Sequence, residues 1–199
     1  MKVLILAPGR CGSSVLADAL STRYNFNEYI SEPFNYDLDN SQHDFDHNNV
    51  KDNTLVKCIV NQWHLPKGTP NSVTGCIEFF EEFTKQFDKV FLLKRESNSQ
   101  RLFSVLHAHQ TGLWGKYDRQ DIVLDDPKHD VFIEDYIKTE IIMFTLVTKY
   151  DIITYENLYN KDVSVSRSEW IKIVEKEPKW TFNEYYNTWF NPKNRKKKC

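Results

Sequence analysis

Cysteine is sparse and unpatterned in this chain of 199 residues. Its four cysteines, Cys11, Cys58, Cys76 and Cys199, form no C-x-x-C pair and no Cys/His metal spacing. Free thiols in a reducing compartment are the simplest reading, and no bound metal is expected. Cys58 falls in an apolar run and Cys76 in a helical one, where each is expected to pack as a small core residue. The closing "KKKC" completes no prenylation box. Long hydrophobic runs are missing too: nothing approaches the ~20 apolar residues that cross a bilayer. The apolar run before Pro8 is shorter than a signal peptide's and suits a first β-strand. An excess of one charge is also lacking, with 26 Lys and Arg against 28 Asp and Glu. A surface that binds nucleic acid or membrane as a whole is therefore not expected. The one basic cluster, residues 193–199, is expected to be a solvated tail. These absences point to a soluble, cytoplasmic protein, and they leave the oligomeric state open.

What is present suits one packed domain: 40% of residues are hydrophobic and 14% aromatic. Near-continuous apolar runs, the pattern of strands buried on both faces, occur at "KVLILA" (2–7), "TLVKCIV" (54–60) and "KVFLLK" (89–94). Shorter strand signals are "EYIS" (28–31) and "DIITYE" (151–156). Helical periodicity separates them over 13–24, 72–87, 98–110 and 130–150. Strand and helix in alternation predict a single α/β domain with a central parallel sheet of about five strands. Two polar, aperiodic stretches, 35–53 and 112–129, are expected to be mobile loops of the kind that build binding sites. The C-terminal part, up to "WTFNEYYNTWF", is expected to form a helix and an aromatic segment over the sheet.

The chemistry concentrates between the first strand and first helix, in "APGRCGSS" (7–14). Unpaired N–H groups and the dipole of a helix N-terminus attract anions there. Gly9 and Gly12 allow close backbone approach, Ser13 and Ser14 add hydroxyl donors, and Arg10 adds a planar cation. A nucleotide triphosphatase would place Gly-Lys-Ser/Thr in such a loop, and here the lysine is missing. A second set of groups follows the fourth strand in "LLKRESNSQRLFS", where Arg95 and Ser104 can converge on one phosphate. Tyr155 ends the last strand in "ITYENL", at the sheet edge where open α/β sheets bind ligands.

These segments, with "HAHQTGLW" (107–114), resemble in order and spacing the sulfotransferase superfamily, over roughly residues 2 to 158. That family transfers a sulfuryl group from 3′-phosphoadenosine-5′-phosphosulfate (PAPS) and has a P-loop NTPase-like fold. The resemblance implies that Arg10, Cys11, Gly12, Ser13, Ser14 and Val15 hold the 5′-phosphosulfate. It implies that Arg95 and Ser104 grip the 3′-phosphate, with Tyr155 near the adenine. The base is then Glu32, in "ISEPF" after the second strand, or His64, in "VNQWHLP" after the third. Lys57, a charge inside an apolar strand, is expected to face the sulfate or Glu32. Gly9, between Pro8 and Arg10, and Cys11, where the family commonly has Ser, depart from the pattern, as does the missing R-K-G-x-x-G-D-W-K-N segment. The acceptor implied is a hydroxyl of a carbohydrate or small metabolite, with neither metal nor nucleic acid involved. Two alternatives stay open: a P-loop nucleotide kinase or NTPase with a degenerate loop, and a nucleotide-binding protein without catalysis.

Overall fold

The apolar runs become five parallel strands: β1 (Val3–Ala7), β2 (Glu28–Ser31), β3 (Thr54–Ile59), β4 (Lys89–Lys94) and β5 (Asp151–Thr154). The structure is a computed structural model that describes residues 1–35, 45–60, 65–66, 68–70, 72–96, 98–112, 129–147 and 149–155. Helices α1 (Ser13–Tyr24), α2 (Val73–Phe83), α3 (Asn98–Thr111) and α4 (His129–Leu146) alternate with the strands. The strands lie in the order β2-β3-β1-β4-β5. The sequence-predicted α/β class, with five parallel strands between helices, is the fold observed.

Side-chain alternation along β1 builds both layers. Val3, Ile5 and Ala7 pack with Leu16 and Ala17 of α1 and with Cys11, Leu55 and Leu93. Leu4 and Leu6 point the other way, toward Cys76, Phe80 and Phe83 of α2 and Ile142, Met143 and Leu146 of α4. The chain therefore leaves β1 on one face of the sheet and leaves β3 on the other. Such a reversal opens a crevice at the carboxyl ends of the central strands, where ligands of open α/β sheets bind.

Two expectations need correction. The helix expected over 72–87 stops at Phe83 and tightens into a 3-10 turn over Thr84–Gln86. The Thr84 hydroxyl bonds the Glu81 carbonyl and lies 2.6 Å from the Tyr150 hydroxyl, a local bond that competes with regular helix. The helix expected to reach residue 150 ends at Leu146, and the turn that follows carries Tyr150 to Thr84. Within the stretch 35–53, Phe45 and Val50 pack against the core. Phe45 lies 5.8 Å from Phe34, ring to ring. Val50, 2% exposed, donates its N–H to Gln86 Oε1 at 3.2 Å. Residues 36–44 and 113–128, and everything after Tyr155 including the basic tail, lie outside the described residues.

Among the described residues no helix is long and apolar enough to cross a membrane. Among the described residues no disulfide forms, and Cys11, Cys58 and Cys76 are buried. Burial pushes the Cys58 thiol far up; the Glu32 carboxylate adds to this and Lys57 opposes it. Burial, with Asp135 beside it, takes Cys76 up to about 12. Since the thiolate is the reactive form, Cys58 and Cys76 should resist a thiol reagent in the native protein at pH 8 and react after denaturation. Peptide mass mapping of the labelled protein checks this, and rapid native labelling of Cys58 would contradict the packing.

Candidate active site

Each strand ends at the same edge of the sheet, and the sequence-predicted residues follow those ends. After β1, Pro8 to Gly12 turn the chain into α1. Arg10 (φ 68°) and Gly12 (φ 77°) are both left-handed; glycine accepts this freely and arginine does not. Gly12 is the α1 N-cap and makes no side-chain cap bond, and the first turn of α1 holds no acidic residue. No acidic side chain of its own first turn therefore competes with an anion at the positive end of this helix. Arg10 Nε donates to Ser104 Oγ of α3 at 2.8 Å, across 94 residues of sequence.

The loop side chains divide by burial. Cys11 is fully buried in the α1-side core, so its contribution to a ligand is limited to its backbone N–H. Ser13 is 6% exposed, whereas Ser14 is open to solvent and Val15 half-buried.

Lys57 points to the α1 side because it shares strand parity with Leu55. In register it sits beside Ile5 of β1 and Ser31 of β2. Its ammonium is 2.7 Å from Glu32 Oε1 and donates to Ser14 Oγ at 3.1 Å. The side chains of Lys57 and Glu32 are 4% and 19% exposed, so most of this ion pair is withdrawn from water. Glu32 continues the β2–β3 ladder with its N–H on the Lys57 carbonyl at 2.7 Å, then turns left-handed at φ 50°. A residue before proline normally stays extended, and this departure is worth on the order of 1–3 kcal/mol of strain. Asn35 Nδ2 donates to Glu32 Oε2 at 3.0 Å and the Asn35 N–H to the Glu32 carbonyl, so the turn holds both ends of the strained residue.

Arg95 and Tyr155 leave the neighbouring strands β4 and β5. They are 8% and 3% exposed, with the guanidinium 4.6 Å above the phenol ring, a cation–π contact made stronger by its withdrawal from water. Ser104, also buried, lies on the α3 face turned to the loop.

Other expectations fall differently. His64 lies outside the described residues. Phe34, two residues after Glu32, is 3% exposed and packs against Phe45, Phe79 and Phe83; it belongs to the core. Among the described residues no group of three or more His, Cys, Asp or Glu could hold a metal ion. The sequence reading missed Asn35, which holds Glu32, and Arg101, which reaches the loop from α3. For Arg101 the available signal was its i, i+3 spacing from Ser104 on one helix face.

Chemically, the edge offers anion donors at the start of α1, the cationic side chains of Arg10, Lys57 and Arg95, and the carboxylate of Glu32, linked to the loop through the Lys57 ammonium.

No family model matches the sequence, and no curated protein matches it. Among solved structures, the chain is similar to the YorR protein of Bacillus subtilis, determined in complex with phosphorylated GDP. The two are 13% identical with a TM-score of 0.44, over 88% of this chain and 94% of that one.

Proposed function

We propose that this protein is a sulfotransferase that takes the sulfuryl group of PAPS and transfers it to a hydroxyl of a carbohydrate or small metabolite. The observation that carries the reading is the Glu32–Lys57–Ser14 chain, which ties a carboxylate to an anion loop lacking the Walker lysine. Sulfuryl transfer, like phosphoryl transfer, needs in-line positioning and charge stabilisation more than covalent catalysis. Glu32 takes the proton of the acceptor hydroxyl while that oxygen attacks sulfur. Arg10, Lys57 and the α1 N–H groups offset charge on the phosphate oxygen that leaves as the S–O bond breaks. Arg95 and Ser104 hold the 3′-phosphate and so distinguish this donor from ATP, and Tyr155 adjoins the adenine. No step requires a metal. The lack of disulfides among the described residues fits a cytoplasmic setting.

Calorimetric titration with 3′-phosphoadenosine 5′-phosphate and with magnesium ATP tests the reading. Binding of the former and indifference to the latter are expected, followed by transfer of labelled sulfate in an acceptor screen. Arg95→Ala should weaken binding of the 3′-phosphorylated nucleotide by about 10–100-fold, as loss of a charge-assisted contact does. Unchanged affinity would remove the 3′-phosphate assignment. Preference for magnesium ATP would replace the reading with a nucleotide kinase or NTPase.

A further inference from the structure

Arg101 is a buried cation, 3% exposed, that belongs to none of the roles described above. Its Nη1 donates to the Gly9 carbonyl at 3.4 Å, and its Nη2 pairs with Glu140 Oε1 of α4. The guanidinium lies 4.0 Å over the ring of Tyr136, also on α4. Its Nε is buried with no hydrogen-bond partner among the described residues. Burial raises the Tyr136 phenol to about 12, with Arg101 opposing and Glu140 adding to the rise, so a neutral ring faces the guanidinium at neutral pH.

Arg101 and Ser104 are three residues apart on α3 and share a face. From that face they grip two consecutive loop residues: Arg101 the Gly9 carbonyl, Ser104 the Arg10 side chain. Between those two grips the chain enters the left-handed turn at Arg10 (φ 68°). A non-glycine residue keeps such a conformation only where its surroundings over-determine it. The orientation of the Gly9–Arg10 peptide in turn sets where the N–H groups of the following residues point. Tyr136 and Glu140, four apart on α4, hold Arg101 by stacking on its plane and by pairing with one end of it. The guanidinium has the shape for both contacts and an ammonium does not.

The geometry points to Arg101 as a positioning residue of the anion loop, held in place by Glu140 and Tyr136, so that α4 sets the affinity of the loop for a phosphate group. This rests on residues 8–14 being an anion loop, and not on which group is transferred. The role ends at the loop backbone, and Arg101 itself contacts no substrate.

The test uses the full chain and whichever of 3′-phosphoadenosine 5′-phosphate and magnesium ATP the wild type binds. Arg101→Ala should weaken that nucleotide by at least about tenfold, the effect of losing one charged hydrogen bond. Millimolar guanidinium ion should recover most of the affinity, because it refits the vacated site between Glu140 and Tyr136. Arg101→Lys should fall between the two. A variant weakened only through loss of global stability would not regain affinity with millimolar guanidinium, which favours the unfolded chain unless it binds the vacated site. If Arg101→Ala does not fold, Glu140→Gln keeps the test open, with an expected weakening of about 3–10-fold for a partly exposed pair. Wild-type affinity in folded Arg101→Ala, a loss untouched by guanidinium, or unchanged affinity in Glu140→Gln overturns the proposal. Binding of magnesium ATP alone, with rescue by guanidinium, would leave Arg101 in this role and remove the sulfotransferase reading. Binding of neither nucleotide would remove both.

Discussion

Glu32→Gln should lower the rate of sulfuryl transfer by about 10²–10⁴-fold, the usual worth of a positioned general base. The affinity for 3′-phosphoadenosine 5′-phosphate should stay within about twofold, because no anion contact is removed. The substitution is close to isosteric. The amide oxygen can still accept from Lys57, which now reaches Oε1 at 2.7 Å, and the left-handed turn at residue 32 keeps its backbone bond to the Lys57 carbonyl. What disappears is the capacity to accept a proton. Single-turnover rates with labelled donor, measured beside calorimetric titration of the product nucleotide, separate the two quantities. A variant that turns over at the wild-type rate sinks the assignment of Glu32. If His64→Ala loses the rate while Glu32→Gln keeps it, the base is the histidine after the third strand.

Lys57→Met should have the largest effect on stability. The change leaves a carboxylate that is 19% exposed beside an apolar side chain, stranded without its cation. Removing one partner of a buried pair costs about 3 kcal/mol, at the low end because Glu32 keeps some water. For a domain of this size that corresponds to a fall in Tm of about 6–12 °C. Adding Glu32→Gln to Lys57→Met should return more than half of the loss, since the stranded charge is then gone; the two substitutions are in contact and should not add. Thermal unfolding of the wild type, both single variants and the double variant supplies the cycle. Additive losses would mean that the ion pair contributes nothing to the fold. The same Lys57→Met protein, assayed below its melting range, should also lose nucleotide affinity, because the ammonium reaches the loop at Ser14 as well.

Most of the scaffold was legible from local pattern. Val3–Ala7 and Thr54–Ile59 are apolar at every position but Thr54 and Lys57, and strands buried on both faces need that. The run "APGRCGSS" announced an anion loop because strand, turn and helix start are neighbours in sequence, and nothing distant is needed to assemble them. Glu32, Arg95 and Tyr155 were visible for a related reason. Each follows a strand directly, and parallel strands all end at one edge. Even the face taken by Lys57 follows from its parity with Leu55.

Of the contacts across the edge, the sequence anticipated one, Lys57 facing the sulfate or Glu32; the others were not legible. Lys57 meets Glu32 only because β3 lies between β1 and β2, which sets Lys57 beside Ser31 in register. Arg10 meets Ser104, and Arg101 meets Gly9, across more than 90 residues, because α3 starts at the end of the strand next to β1. The packing of Phe45 and Val50 escaped periodicity because two apolar side chains in a polar stretch make no period. Sequence alone determined the elements, their parallel arrangement and the residues delivered to the sheet's carboxyl edge, since these depend on short-range sterics and on burial of one face at a time. The tertiary structure decided which of those residues touch. Strand order and the side of each crossover are settled by packing the whole core, and no local stretch of chain contains that information.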